Sequence, residues 1–274
     1  MKIFITGTTG FIGRSLKEFY ETNHEVEEYV RGTDIFMMLE VAQPDLIINC
    51  AGEIYDANKM YRSNVDLVEA TLEWLKRHPA TRLIQLGSSA EYGPLLHPSS
   101  EQDKINPVDV YQATKGAATL MCQGYARQFG LQTCVARVFS AYGPYERPHR
   151  LYPRLYRAFY NNEPMTLFDG VHDFIYIDDF VRGIDALVNS SWPAGEIVNF
   201  GSGVSHTNLE VLQAWENVTG KKGAVTYEDR LNKAYESKYW VCDTSYAKNQ
   251  YGFKTEYTLE MGIKDMIGKL QNDQ

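Results

Sequence analysis

The sequence predicts an α/β protein built on a doubly wound parallel sheet, and three observations carry that expectation. Short apolar runs alternate with amphipathic stretches through the first half of the chain, the rhythm of strand–helix–strand units. The first run, Lys2-Ile-Phe-Ile-Thr6, meets the amphipathic stretch 11–20 through a turn punctuated by Gly7, Gly10 and Gly13. At 274 residues the chain is long enough for one large or two small domains with a sizeable core.

The apolar run through Ile3, Phe4 and Ile5 is unbroken, as in a strand buried on both faces. Three glycines after such a strand let the backbone bend tightly, let a pyrophosphate approach the main chain and let the helix pack close. The N–H groups and positive dipole at the helix start then attract phosphate charge. An ordinary strand–turn–helix with incidental glycines is the alternative. A clean strand before the turn and a clean helix after it favour dinucleotide binding, and with it a Rossmann-like sheet.

Residues 25–29 read as a weak second strand, because Val26 and Tyr29 are mixed with glutamates, and so belong toward a sheet edge. The stretch ends at Val30-Arg31-Gly32. An acidic residue at this point bonds a free ribose 2′-hydroxyl, whereas an arginine accommodates a 2′-phosphate. Arg31 therefore tilts the cofactor toward NADP(H) over NAD(H); a solvated arginine with no ligand is the alternative. Thr33 is expected to cap a helix through Val41, and Pro44 to open the strand 45–50. Asp34 and Ile35 are placed to touch the adenine edge, and the small residues Ala51 and Gly52 to let the cofactor pass. Residues 61–77 form a long helix with Val65, Val68, Leu72 and Leu75 on one stripe. Asn64 on its early turns is as suited to bridging backbone groups as to catalysis.

The strand 82–86 runs into Gly87-Ser-Ser-Ala-Glu-Tyr-Gly93, the helix 110–129 follows, and the strand 132–139 is broken by Ser140-Ala-Tyr-Gly-Pro144. Beyond Tyr145 a helix at 150–160, a strand at 164–168, a break at 172–179, a helix at 180–190 and a strand at 197–200 are expected. Two last helices, 208–219 and 259–270, flank a polar, tyrosine-rich middle. Residues 1–144, with 172–202 returning, are the expected nucleotide-binding domain. Residues 145–171 and 203–274 are the expected smaller α/β lobe, with a substrate held between the two.

Composition excludes other classes. A net charge of −8 without a dense Lys/Arg run argues against a nucleic-acid or acidic-membrane surface. Cys50, Cys122, Cys134 and Cys242 are scattered, with no Cys-x-x-Cys pair, as in a reducing compartment. The histidines lack a ligand spacing such as His-x-x-x-His, so no metal is expected. No apolar run approaches the ~18 residues of a membrane span, and Lys2 to Ile5 already reads as structure rather than as a leader, so a cytoplasmic protein is expected.

Tyr111-Gln-Ala-Thr-Lys115 places a phenol and an ammonium on one helix face. A nearby cation favours phenolate and brings a tyrosine pKa down from ~10, which makes Tyr111 a candidate general acid or base. About one Tyr-x-x-x-Lys is expected by chance in such a chain, and a second, Tyr55 to Lys59, is present. Tyr55 follows a strand end with no helical pattern behind it and is taken as the chance copy. Tyr111 lies on the first clear helix after the strand that delivers Ser88 and Ser89.

Together these motifs resemble an extended short-chain dehydrogenase/reductase of the NAD-dependent epimerase/dehydratase group that works on nucleotide sugars. Arg137-Val-Phe-Ser-Ala-Tyr-Gly-Pro144, Asp173-Phe-Ile-Tyr-Ile-Asp-Asp179 and Asn199-Phe-Gly-Ser-Gly203 match further landmarks in the same order. The resemblance implies that Tyr111 is the acid/base, that Lys115 bonds the nicotinamide ribose and that Ser88 bonds the reacting sugar oxygen. It implies a cofactor site of Gly7, Thr9, Gly10, Phe11, Ile12, Gly13, Arg31, Asp34, Ile35, Ala51, Gly52, Lys115 and Phe139. Ser89, Ser140, Arg147 and His172 fall where the substrate is held, with Arg150 and Arg230 as further phosphate partners, and a homodimer through the helices 61–77 and 110–129 is implied. The group's 4,6-dehydratases carry an acidic residue two places after the catalytic Ser/Thr, where this chain has Ala90; Glu91 comes one place late. With Arg31, this favours an NADPH-dependent reductase of a nucleoside-diphosphate-4-keto-6-deoxy sugar. An NAD-dependent epimerase is the second expectation, and a non-catalytic NADP-binding sensor, which would typically lose Tyr111 or Lys115, the third.

Overall fold

The computed structural model describes residues 1–231 and 239–272. They form two compact units: Met1–Gly93, Glu101–Val138 and Gly183–Asn199 make the first, and Pro94–Ser100, Phe139–Arg182 and Phe200 onward the second.

In the first unit β1 (Lys2–Thr6) leads into α1 (Phe11–Tyr20), β2 (Glu25–Glu28), α2 (Ile35–Ala42) and β3 (Leu46–Asn49). Then come α3 (Ala57–Tyr61), a π-helical turn (Arg62–Asp66), α4 (Leu67–Leu75), β4 (Arg82–Ser88), a 3-10 turn (Ser89–Tyr92), α5 (Val110–Phe129) and β5 (Thr133–Val138). The remaining elements in chain order are β6 (Ser140–Tyr142), α6 (Leu151–Tyr160), β7 (Met165–Asp169), β8 (Val171–Tyr176), α7 (Ile177–Val188) and β9 (Glu196–Phe200). The chain continues with β10 (Ser205–Thr207), α8 (Asn208–Thr219), β11 (Val225–Leu231), α9 (Ser245–Tyr251) and α10 (Leu259–Asn272).

The main sheet has the order β2-β1-β3-β4-β5-β9, and its pairings from β2 through β5 are all parallel. This is the doubly wound arrangement expected from the sequence. The strands β1, β3 and β4 are buried along nearly their whole length, because helices cover a parallel sheet on both faces. Phe4, Leu39, Ile47, Leu72, Trp74, Leu83, Cys122 and Val135 form one core cluster. The alternating burial of β2 fits its place at the edge, where Glu25 and Glu27 face solvent and discourage pairing with another strand.

The second unit holds a three-stranded sheet, β10-β8-β6, and a two-stranded one, β11-β7. Two stretches read from the sequence as breaks are therefore strands: Ser140–Tyr142 pairs in parallel with Phe174–Tyr176, and His172 lies opposite His206. Gly, Pro and Asp near these short runs masked their strand character. Asp173 explains its motif structurally, since its buried carboxylate accepts the backbone N–H groups of Ser202, Gly203 and Cys242. Part of the tyrosine-rich middle, 232–238, lies outside the described residues.

Two helix readings change. The cap of α2 is Asp34, whose carboxylate accepts the N–H of Phe36 at 2.9 Å, while Thr33 donates back to the carbonyl of Val30. The helix expected at 61–77 starts at Ala57 and is interrupted by the π turn. Tyr55, expected to have no helix behind it, thus precedes α3 and is exposed.

Candidate active site

A ladder of buried polar side chains crosses the carboxyl ends of the central strands, the edge at which doubly wound sheets bind ligands. The Thr6 hydroxyl donates to Asn49, the Asn49 amide donates to Gln85 Oε1 at 2.7 Å, and the Ala51 N–H donates to Thr6 Oγ1 at 3.0 Å. Gln85 Nε2 donates to the carbonyl of Leu86 at 3.0 Å, and Lys115 Nζ donates to that same oxygen. The ladder thus ends on the candidate catalytic ammonium.

The glycine turn closes above β1. Gly7 has φ +72°, and a Cβ there would lie 2.8 Å from backbone atoms of Cys50 and Ala51. A Cβ on Gly13 would lie 2.2 Å from the Gly7 carbonyl oxygen, so only glycine lets α1 approach the strand this closely. Gly10 is the N-cap of α1 and brings no side-chain cap, which leaves first-turn N–H groups for a ligand. Thr9 and Gly10 are exposed and Phe11 and Ile12 half-buried around this turn. A naked backbone cradle with room above Gly10 fits a dinucleotide pyrophosphate.

Arg31 follows β2 and is exposed, whereas the β2 glutamates turn to lysines: Glu27 to Lys2 at 3.7 Å and Glu28 to Lys17 at 2.5 Å. Ile35 is buried in the core cluster and Asp34 is engaged as the cap of α2. Half-buried Ala51 and Gly52 follow β3, and a Cβ on Gly52 would meet Asn64 Oδ1 at 3.3 Å. Asn64 is a bridge: its Oδ1 accepts the Glu53 N–H at 2.8 Å, and its Nδ2 donates to the Glu53 carbonyl and to Thr114 Oγ1, each at 3.0 Å. That ties the loop after β3 to α5, one residue from Lys115.

Tyr111 and Lys115 lie one turn apart on α5, whose N-cap Asp109 accepts the N–H of Gln112. Tyr111 is half-buried; Lys115 is buried, and burial pulls its pKa down while the Glu91 carboxylate opposes the change. Ser88 ends β4 and caps the following 3-10 turn, its hydroxyl accepting the N–H of Ala90 at 3.2 Å. It lies two residues beyond the carbonyl that Lys115 holds. Ser89 opens the same turn and is buried. The Glu91 side chain accepts the Ser88 N–H in a capping box, a local Ser-x-x-Glu pattern, and also turns inward to Thr119 and Arg137, which the sequence does not place beside it.

Phe139, Ser140, Arg147 and His172 belong to the second unit. Phe139 is buried, Ser140 is half-buried on β6 and Arg147 is exposed. Burial, and then the Arg150 cation, push the His172 imidazole down to about 4, so at neutral pH it offers one N–H and one lone pair rather than a positive charge. Glu146 pairs with Arg150 at 3.3 Å. Arg230 pairs with Glu228 at 2.7 Å. The four cysteines are free thiols, and among the described residues no cluster of His, Cys, Asp or Glu could hold a metal.

A parallel sheet in this order, a glycine turn leading into α1, and a Tyr-x-x-x-Lys pair behind a Ser at the end of β4 define the Rossmann-type short-chain dehydrogenase/reductase class. Within it, the chain belongs to the NAD dependent epimerase/dehydratase family, which matches residues 3–201. It is 29% identical over 212 residues to the uncharacterized UDP-glucose epimerase YtcB of Bacillus subtilis, covering 76% of this chain and 66% of that one. It is 32% identical over 211 residues to the UDP-glucuronate 4-epimerase of Thermodesulfobacterium geofontis, covering 75% and 64%. The matched regions thus span about two thirds of these relatives. Among solved structures, MoeE5 in complex with UDP-glucuronic acid and NAD superposes over all of both chains with a TM-score of 0.90 at 21% identity. The UDP-glucuronic acid 4-epimerase from Bacillus cereus, in complex with UDP-glucuronic acid and NAD, does so at 0.88 and 22%. Among the described residues no helix is long and apolar enough to cross a membrane.

Proposed function

We propose that the protein is an NADPH-dependent reductase of a nucleoside-diphosphate-4-keto-6-deoxy sugar, acting in the cytoplasm. The end of β2 carries this reading. Its glutamates are committed to Lys2 and Lys17, and the exposed residues that follow are Val30 and Arg31. Lys59, paired with Asp56, lies close enough to feel the Arg31 charge. An exposed arginine after β2, with the strand's own glutamates already paired, suits a ribose 2′-phosphate more than a bare 2′-hydroxyl.

The cofactor, held on Gly7, Gly10 and Gly13, would supply hydride chemistry at the nicotinamide ring. Tyr111 then delivers a proton to the sugar 4-oxygen, so that a ketone becomes a secondary alcohol. Lys115 stabilises the phenolate left behind and bonds the nicotinamide ribose, and Ser88 holds the reacting oxygen. Ala90 brings no carboxylate for water elimination, which supports reduction over dehydration. Ser140, Arg147 and His172 are the proposed contacts to the nucleotide sugar. A homodimer through α4 and α5 is supported by exposed Leu120, although Met121 and Tyr125 pack against the core of their own unit.

An NAD-dependent epimerase is the second reading, favoured by the names of the relatives above. The two part in one assay: purified protein, NADPH and a nucleoside-diphosphate-4-keto-6-deoxyhexose, followed at the nicotinamide absorbance band. Oxidation of NADPH is expected, with Arg31→Ala losing NADPH affinity by about tenfold or more, the scale of one charge-assisted contact, and NADH affinity unchanged. No oxidation, together with interconversion of a UDP-hexose pair, overturns the reductase in favour of the epimerase.

A further inference from the structure

Glu91 is fully buried, and its side-chain oxygens are engaged by three elements of the first unit. Oε1 accepts the backbone N–H of Ser88 at 2.7 Å. Oε2 accepts the Thr119 hydroxyl at 2.7 Å and Arg137 Nε at 2.9 Å. Those donors come from the end of β4, from α5 and from β5. Thr119 stands one turn beyond Lys115, on the same face of α5. The neighbouring sequence makes room for the carboxylate, because a Cβ on Gly87 would lie 2.8 Å from Oε1. Stability alone does not explain such a group, since apolar residues of similar volume often replace a buried ion pair without loss.

We propose that Glu91 is a positioning residue, a carboxylate that ties the Ser88 peptide to the helix bearing Tyr111 and Lys115 and keeps negative charge beside that pair. The proposal rests on the reading of Ser88, Tyr111 and Lys115 given above. Electrostatics agree with the geometry. Burial lowers the Lys115 pKa, and Glu91 is the largest influence opposing it, with the Cys50 and Cys122 thiols acting in the same sense. Tyr111 stands one turn before Lys115 on α5, and Arg137 is the cation that faces Glu91 itself.

The test is the double variant E91M/R137M, which removes both charges so that neither is stranded, together with T119V, which removes one donor and keeps both charges. The double variant is expected to bind NADPH within about twofold of wild type. Its kcat for ketone reduction falls about tenfold or more, and the basic limb of the kcat–pH profile moves acidward by about one unit as Lys115 loses its counter-charge. T119V lowers kcat about threefold without moving the limb, because one hydrogen bond to the carboxylate is lost while both charges stay. Wild-type kcat and an unmoved limb in the double variant overturn the proposal, and so does unchanged kcat in T119V should the double variant not fold. Y111F separates the two levels: turnover surviving in Y111F removes the reading beneath the proposal, whereas turnover lost in Y111F but kept in E91M/R137M overturns the role of Glu91 alone.

Discussion

Glu146 and His172 share the second unit, and burial acts on them in opposite senses. The Glu146 carboxyl is pushed up from 4.5 to about 7, and the His172 imidazole down from 6.5 to about 4. The folded chain keeps the Glu146 proton that the unfolded chain releases, so this group's contribution to stability falls as pH rises from about 4.5 to 7. His172 stays neutral in the fold while the unfolded chain takes up a proton, so its contribution falls as pH drops from about 6.5 to 4. Where the windows overlap, from about 4.5 to 6.5, the two slopes oppose and largely cancel, each contribution amounting in total to on the order of 3 kcal/mol. Calorimetry across pH checks this. Relative to wild type, E146Q should gain stability as pH rises from 4.5 to 7, and H172N as pH falls from 6.5 to 4. Differences that do not vary with pH would contradict the assignment. At this scale the sequence spoke clearly only where partners are near in the chain. Tyr111 and Lys115 are four apart and legible as a pair, whereas two of the three partners of Glu91, Thr119 and Arg137, lie 28 and 46 residues away and only the fold brings them to it.

Elements were legible where a periodic stripe met a distinct stop. The ranges of α1, α5 and α8 were readable because an apolar face persists through each, and α5 and α8 end at Gly130 and Gly220 in the left-handed conformation. The π turn was not legible, because Val65, Val68, Leu72 and Leu75 fit an uninterrupted α-helix and nothing in the residues marks the wider turn. Its consequence is chemical: Asn64 turns inward and holds both backbone groups of Glu53. N64A strands those groups and is expected to cost about 2–3 kcal/mol in urea unfolding. A loss within about 0.5 kcal/mol, the range of ordinary surface substitutions, would mean that the bridge is ornamental. β11 is not legible for a related reason: Val-Thr-Tyr-Glu-Asp-Arg-Leu is charged along much of its length, and pairing with β7 rather than an apolar alternation makes it a strand.

For the molecule as a whole, the first unit contains every group that the proposed proton transfer requires. The glycine turn, Ser88, Tyr111, Lys115 and the buried polar ladder behind them all lie on its central strands, the connecting turns and α5. The second unit carries Phe139, Ser140, Arg147 and His172, the proposed contacts to cofactor and sugar. The central claim is that hydride passes between a nicotinamide and a sugar carbon while Tyr111 handles the proton. The most direct test is isotopic: incubate the protein with NADPH deuterated at the transferring position of the nicotinamide and a nucleoside-diphosphate-4-keto-6-deoxyhexose, then locate the label by mass spectrometry and NMR. Deuterium on the sugar C4, one per oxidised cofactor and lost in Y111F, is the predicted result. Product sugar formed without deuterium, or label transfer undiminished in Y111F, would contradict it.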